Sequence, residues 1–208
     1  MRIIPLIALV FLSVSGFGCA SDPAPLKPLI IIDAGHGGHD EGTAVQMLQE
    51  KRIALMCSLM VRNFLDEMGY RVILTRTKDV YPSLPRRVSI ANSNRGSCFV
   101  SVHFNAARNV AAKGIEVFYC DNKEPKRTRA SQKLANCILY HVIDETSAKS
   151  RGVKKGNHYV TRETQMPAVL VEGGFLTNRE ERLLLKTKGY IEKIARGIAE
   201  GVDKFMKS

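Results

Sequence analysis

The sequence predicts a single α/β domain built on a mixed, mostly parallel sheet, and three observations support this. Short apolar runs typical of buried strands alternate with amphipathic segments typical of helices along most of the chain. The 188 residues left after an expected 20-residue leader are enough for one domain with a sizeable core. No internal repeat or low-complexity tract interrupts the alternation, so one fold class accounts for the whole chain.

The first half of the chain holds three predicted strands and two predicted helices. Apolar runs predict buried strands at three places: 29–33, 71–75 and 98–102. An apolar stripe with helical spacing predicts a helix at 51–68, which Gly69 ends. A shorter stripe predicts a second helix at 83–94. Strands and helices therefore alternate here, as they do around a parallel sheet.

The second half continues the alternation. Strands are predicted at three further places: 114–119, 159–161 as a short edge strand, and 168–171. One helix is predicted at 125–143 and a terminal helix at 190–206. In the first of these, Leu134, Ile138 and Val142 share one face, so we expect it to cover the sheet.

The N-terminus is predicted to be an export signal rather than part of the fold. Arg2 supplies a positive charge, and residues 3–14 are almost wholly apolar. Gly18 and Ala20 are small at the two positions that a signal peptidase recognises. We therefore expect residues 1–20 to be removed by cleavage after Ala20 and the protein to act in the periplasm.

Lipid attachment at Cys19 is the alternative, and it would bring the protein close to a membrane. Residues 21–28 are rich in proline and are expected to form a short stiff tether. The catalytic domain is then predicted to span 29–208. No stretch after the leader is long and apolar enough to cross a membrane.

Four cysteines remain after export: Cys57, Cys98, Cys120 and Cys137. An even number in an oxidising compartment permits disulfides. Cys57, Cys98 and Cys137, however, lie on apolar faces or in a buried strand, which favours free, buried thiols. The absence of a CxxC pair argues against a cysteine zinc cluster.

The chain is strongly basic, with a formal net charge of +11. Such a surface predicts an anionic partner, either cell-wall polymer or an anionic membrane. The sequence contains no RNP, zinc-finger or helix-turn-helix signature, so we do not expect nucleic acid to be the partner.

Four side chains at strand and helix ends predict a catalytic metal site. His36 follows the first predicted strand in a glycine-rich turn, and Glu50 opens the first helix. His103 closes the third strand and Glu172 ends the last one. Two histidines and a carboxylate are the protein ligands of one kind of catalytic zinc site, and a further carboxylate serves as its general base. Such sites gather at the carboxyl ends of strands.

Other polar residues have simpler interpretations. Asp33 is predicted to hold a ligand histidine in its tautomer, and His39 to line the pocket. Glu50, taken alone, would be an acidic residue at a helix N-terminus, and only the two histidines make it a ligand candidate. His141 is predicted to be a packing residue, and His158 to lie on a loop surface.

These segments occur in the order found in a known family. They are Ile32-Asp33-Ala34-Gly35-His36-Gly37-Gly38, Glu50-Lys51, Thr75-Arg76 with Asp79, Leu84 with Arg87 and Ala91-Asn92, Ser101-Val102-His103-Phe104-Asn105-Ala106, Gly114-Ile115-Glu116-Val117, and Met166-Pro167-Ala168-Val169-Leu170-Val171-Glu172 through Phe175-Leu176-Thr177-Asn178. In these segments, over almost the whole exported chain, the sequence resembles the zinc-dependent N-acetylmuramoyl-L-alanine amidases of the type 3 family, which are bacterial cell-wall hydrolases.

The resemblance implies a six-stranded mixed sheet flanked by helices, one zinc ion bound by His36, Glu50 and His103, and Glu172 as the catalytic carboxylate. The implied substrate is peptidoglycan, its muropeptide fragments or a lipid-linked precursor. The chain departs from the family pattern at two positions. Gly173 stands where many relatives have an apolar or β-branched residue, and Phe104 replaces a residue that is often small.

Two other classes remain open: a zinc carboxypeptidase or endopeptidase on cell-wall stem peptides, and an inactive peptidoglycan-binding module. Some type 3 amidases are closed by a plug helix that an activator removes. Here Cys120 to Ser150 spans 31 residues, and the predicted helix 125–143 uses most of them. We therefore expect an open cleft, activity without an obligate activator, and a monomer.

Overall fold

The computed structural model describes residues 27–121 and 124–208. The predicted signal peptide and most of the predicted tether lie outside these residues. In chain order the elements are β1 (Leu29–Ala34), β2 (Ala44–Val45), β3 (Leu48–Gln49), α1 (Glu50–Glu67), β4 (Arg71–Leu74), α2 (Leu84–Ser93), β5 (Cys98–Asn105), β6 (Ile115–Tyr119), α3 (Pro125–Thr146), β7 (Ser150–Lys155), α4 (Tyr159–Glu163), β8 (Ala168–Phe175), α5 (Arg179–Leu185) and α6 (Lys188–Met206).

Six of the strands form one mixed sheet in the order β4-β1-β5-β8-β6-β7. Strands β6 and β8 pair antiparallel, whereas the other neighbours pair parallel. Strands β2 and β3 form a separate hairpin. The fold prediction, a mostly parallel six-stranded sheet flanked by helices, is confirmed.

Successive side chains of a strand point to opposite faces, so the sheet has two faces to cover. The helices cover these two faces unequally. Helices α1, α3 and α6 pack on one face, over a core that includes Ile30, Val100 and Val171. The shorter helices α2 and α4 pack on the other face, against a smaller cluster around Ile31 and Phe99. This second face has room for a cleft at the carboxyl ends of the strands.

Helix α3 is part of the covering layer, as predicted. Leu134, Ile138 and Val142 are fully buried. The helix lies very close to α6, where Gly197 and Gly201 leave space for its backbone. A Cβ atom at position 201 would lie 2.4 Å from the Cα atom of Ile138. The helix is therefore anchored along its length.

Two elements of the second half differ from the sequence prediction. Residues 159–161, predicted to be a short edge strand, begin the helix α4. The edge strand is instead β7, whose six residues are mostly polar and include Gly152. Pairing with β6, rather than local propensity, makes this segment extended. Helix α5 and the β2–β3 hairpin were also not predicted.

All four cysteines of the described residues are free. Cys57 and Cys98 are fully buried, as predicted, and Cys137 is half-buried. Burial raises the pKa of the Cys98 thiol to about 12 and raises that of Cys57 as well. Among the described residues, no helix has the length and apolarity needed to span a membrane.

Candidate metal centre

Two buried arginines hold the loop that carries His36. Arg76 donates hydrogen bonds to the carbonyl oxygens of Ala34 (3.0 Å) and Gly35 (2.6 Å). Arg87 donates to the carbonyl oxygen of His36 itself at 2.7 Å. His36 has a φ of 57°, in the left-handed region that side chains other than glycine seldom adopt. The guanidinium groups thus stabilise a backbone conformation that is unfavourable on its own.

Asp33 supports this loop through Arg87 and not through a histidine, so its predicted role is wrong. Its carboxylate accepts from Arg87 Nη1 (2.7 Å), Thr75 Oγ1 (2.6 Å) and Ser101 Oγ (2.7 Å). Burial alone would raise the pKa of Asp33. The Arg87 charge and the three hydrogen bonds outweigh burial and hold the pKa below its ordinary value. Asp33 is therefore an ionised partner for a buried guanidinium.

The carboxylate that orients the candidate ligand His36 is Asp40. Its Oδ2 lies 2.9 Å from Nδ1 of His36, which leaves the His36 Nε2 atom for the cleft. The Gly42 amide donates to the other carboxylate oxygen of Asp40. A second carboxylate of this kind fixes the tautomer and direction of a metal-binding imidazole. The sequence offered one signal for this pair, the i, i+4 spacing within one glycine-rich turn.

His36, Glu50 and His103 come together as predicted. Glu50 Oε1 lies 2.9 Å from His36 Nε2 and 3.0 Å from His103 Nδ1. One potential ligand atom from each residue lies within 4.8 Å of the other two. Two glycines approach this group closely, since a Cβ at Gly35 or Gly42 would lie within 2.7 Å of its side chains. The donor types and their spacing fit a zinc ion with three protein ligands.

Electrostatics in this group favour a charged carboxylate. Burial would raise the pKa of Glu50, but its hydrogen bonds to His103 and His36 reverse the effect and lower it strongly. Burial would lower the pKa of His36, yet Glu50 and Asp40 together raise it. The Glu50 carboxylate is therefore ionised, which is the form that binds a metal cation.

Glu172 lies beside this group on the next strand. It is the register partner of His103 in the parallel pairing of β5 with β8. Its Oε2 atom is buried and has no hydrogen-bond partner among the described residues. Burial, followed by the charges of Glu50 and Glu116, raises the pKa of Glu172 well above its ordinary value. This direction agrees with the sequence expectation for a general base.

A cavity of about 180 Å³ opens beside the histidines. His36 and His103 line one side of it, and His158 and Tyr159 of the α4 segment line another. The prediction that His158 lies on a loop surface is therefore wrong. Its ring is half-buried, packs edge-on against Phe118 with centroids 5.0 Å apart, and faces the cleft. Burial, with a smaller effect of His103, lowers the pKa of His158.

The remaining two histidines lie outside the donor group. His39 packs on the ring of Tyr81, with centroids 4.4 Å apart, and Tyr81 lines the cavity. His141 is half-buried on α3, with Nδ1 3.5 Å from Glu200 Oε2. Its predicted packing role is thus combined with a polar contact to Glu200.

The two departures from the family pattern are in contact with each other. A Cβ atom at Gly173 would lie 2.7 Å from Cε1 of Phe104. The Phe104 ring is almost completely buried. The large residue on β5 therefore occupies the space that a side chain on β8 would need, directly beside His103 and Glu172.

Comparison with known proteins identifies the family of this chain. Residues 30–204 match the family described as N-acetylmuramoyl-L-alanine amidase. Bacillus subtilis YqiI, a protein described as uncharacterized, is 34% identical over 200 residues, which cover 96% of this chain and 95% of that protein. The N-acetylmuramoyl-L-alanine amidase CwlM of Bacillus licheniformis is 38% identical over 175 residues, and the match covers 83% of this chain but 66% of CwlM.

A solved structure shares the fold closely. The CwlD amidase of Clostridioides difficile, determined in complex with the GerS lipoprotein, superposes with a TM-score of 0.81 and 32% identity. The superposition covers 87% of this chain and 99% of that chain. Since the family match spans almost all of the described fold, the chain belongs to the N-acetylmuramoyl-L-alanine amidase family.

Proposed function

We propose that this chain hydrolyses the amide bond between N-acetylmuramic acid and L-alanine, using one zinc ion bound by His36, Glu50 and His103. The observation that carries the proposal is the buried Glu172 carboxylate, whose Oε2 atom has no hydrogen-bond partner within the described part of the chain, beside a three-donor group. A metal hydrolase needs this pairing of ligands with a separate base. Peptidoglycan, its muropeptide fragments and a lipid-linked precursor all contain the bond.

Zinc bound there would supply a Lewis acid that polarises the carbonyl and acidifies a water molecule. Glu172 takes a proton from the attacking water, because it is a buried carboxylate beside the candidate ligands and burial raises its pKa above the ordinary value, which strengthens it as a base. Glu172 then gives the proton to the leaving nitrogen of L-alanine. Asp40 keeps the His36 imidazole directed at the cleft throughout. The products are a free lactyl carboxyl group and an intact stem peptide.

Product analysis on soluble muropeptides tests this assignment. We expect mass spectrometry to find the sugar with a free lactyl carboxyl group and the complete peptide. Release of D-alanine, or a cut within the peptide, would favour the alternative of a zinc carboxypeptidase or endopeptidase. Binding without any product from the zinc-loaded protein would favour the inactive peptidoglycan-binding module.

We further propose that activity needs no activator protein. The helix between β6 and β7 is anchored in the fold by Leu134, Ile138 and Val142, so swinging it away would expose that apolar stripe to water. CwlD was solved with a lipoprotein bound, so the point needs direct measurement. Purified, zinc-loaded protein should cleave muropeptides alone, and inertness until a partner protein is added would contradict the proposal.

We also propose that the protein is exported, because the amide bond that gives the N-acetylmuramoyl-L-alanine amidase family its name belongs to the cell wall. We propose a monomer in the periplasm that begins after Ala20, with lipid attachment at Cys19 as the alternative. The mass of the N-terminal peptide from cell envelopes distinguishes the two. Light scattering of the purified protein tests the monomer.

A further inference from the structure

A row of acidic and basic side chains crosses the sheet beyond the metal centre. His103 pairs in register with Glu172, and Glu172 pairs in register with Glu116 on β6. Side chains of register partners point to the same face of a sheet. Glu116 therefore lies next to Glu172, one strand further from the metal ligands, on the face that α2 and α4 only partly cover.

Two cations surround the single carboxylate of Glu116. Its Oε2 atom accepts from Arg151 Nε at 2.7 Å and from Lys154 Nζ at 2.5 Å, while Oε1 accepts from Asn105 at 2.8 Å. Glu116 is 4% exposed, whereas the Arg151 and Lys154 side chains are 29% and 38% exposed. One cation would neutralise Glu116, so the group presents one excess positive charge at the surface.

The two cations are also held in place. The Arg151 guanidinium lies 4.9 Å from the centre of the Phe175 ring, and Lys154 Nζ lies 5.9 Å from that of Phe118. Phe118 packs in turn on His158, which lines the cavity. Within the described part of the chain, the Lys154 ammonium donates to Glu116, and an ammonium has three N–H donors. Donors therefore remain for a ligand beside Phe118, which contacts the cavity residue His158.

We propose that Lys154 and Arg151 bind a free carboxylate on the peptide side of the scissile amide. This inference rests on the proposed function. The lactyl carboxyl group of the sugar is consumed in the amide bond, so a carboxylate near that bond must come from the peptide. Neighbouring strands lie about 4.8 Å apart, which places the cations roughly 10 Å or less from Glu172. That distance suits the first free carboxylate beyond L-alanine.

Charge-assisted hydrogen bonds from preorganised cations discriminate strongly between a carboxylate and a neutral amide. The pair would therefore act on substrate specificity and position the peptide so that the leaving nitrogen faces Glu172. A pyrophosphate of a lipid-linked precursor shares the anionic chemistry. Soluble muropeptides, which lack that group, separate the two sources.

The test compares two soluble muropeptides that differ at one position, with the first free carboxylate after L-alanine left as the acid or converted to its carboxamide. We expect the zinc-loaded protein to show about a tenfold or larger preference in kcat/KM for the acid, mostly through KM. The Lys154→Gln variant should reduce that preference to near unity. Lys154→Arg, which retains the charge, should keep most of it.

Lys155→Gln is the matched control. It removes the same charge from the next residue of β7, whose side chain is 65% exposed and pairs with Asp121 instead. Its acid preference should equal that of the unchanged protein. Equal rates on both muropeptides in the unchanged protein would overturn the inference whether or not the variants fold. A preference that survives in Lys154→Gln would also overturn it. Failure to cleave either muropeptide would instead count against the proposed function.

Discussion

His36 and its neighbour His39 lie three residues apart but have different roles in this structure. His36 points its Nε2 atom at Glu50, whereas His39 packs on Tyr81. We predict that His36→Ala removes most bound zinc and all measurable activity, while His39→Ala retains about one zinc per chain. Metal analysis of the dialysed proteins checks both. A His36→Ala protein that still holds one zinc would refute the ligand assignment.

Glu172 is proposed to act as the base and not as a metal ligand. It contributes no atom to the three-donor group, so Glu172→Ala should keep zinc and the fold. Turnover should fall by about 10²–10⁴-fold, the usual effect of losing a general base. Single-turnover kinetics on a muropeptide, together with the zinc content, make the measurement. Near-normal turnover, or loss of zinc, would show that the role is wrong.

The Asp33–Arg87 pair is the most buried ion pair described here, with side-chain exposures of 1% and 2%. Asp33→Asn leaves a buried guanidinium without its counter-charge, which should lower the free energy of unfolding by about 3–5 kcal/mol. Asp66→Asn, at an exposed pair with Arg62, is the control and should change little. Urea unfolding at neutral pH compares them.

The stabilisation that the Asp33–Arg87 pair provides should depend on pH. The pKa of folded Asp33 lies below its ordinary value of 3.8, so the unfolded state binds the proton more readily. The stabilisation is therefore complete above about pH 3.8 and is lost as the pH falls towards the folded-state pKa. The stability difference between the unchanged protein and Asp33→Asn should shrink over that range.

At the scale of elements, strands β5 and β8 contact each other where the Phe104 ring lies against Gly173. Gly173→Val should be destabilising by about 1–3 kcal/mol through overpacking, and Phe104→Ala by about 3–5 kcal/mol through a cavity. The double variant should be clearly more stable than the sum of the two effects implies, because the valine fills the space of the ring. If the changes in unfolding free energy of the two single variants simply add up in the double variant, positions 104 and 173 are not energetically coupled.

Helices and strands with a strong apolar pattern could be predicted from the sequence. A strand that is extended only because it pairs with a neighbouring strand could not. Helix α6 and strand β1 each carry enough buried residues to be recognised alone. Strand β7 is polar and extended only because β6 lies beside it. Residues 159–161 include residue types that favour strands. This run is only three residues long, and in the structure it forms the start of α4, directly after the N-cap residue His158.

The residues of the candidate site also divide into those that the sequence pattern identifies and those that only contacts in the folded chain identify. His36 follows β1, Glu50 opens α1 and His103 lies near the end of β5, so position in the chain was enough to select them as ligand candidates. Asp40 and the Arg151–Lys154 pair act through contacts made only in the folded sheet. The predicted partner of Asp33 is wrong because the nearby His36 contacts Asp40 and Glu50 instead, while Arg87, 54 residues after Asp33, donates to it.

At the scale of the whole molecule, the chain carries 31 Lys and Arg residues against 20 Asp and Glu residues. We predict that cleavage of intact, anionic cell wall slows as salt rises, because the Debye length falls from about 30 Å at 0.01 M to about 3 Å at 1 M. Turbidity loss of purified wall measures the rate. A small muropeptide, with far fewer charges, should show a weaker salt effect, and a wall rate independent of salt would contradict the prediction.

Cys57 and Cys98 give the molecule a property unrelated to catalysis. Both thiols are fully buried in the main core, one on α1 and one on the central strand β5. The thiolate is the form that reacts, and burial disfavours it at both positions. Alkylation of either thiol must therefore wait for its part of the core to open. The chain thus contains two native reporters of local unfolding, one in the helical layer and one in the sheet.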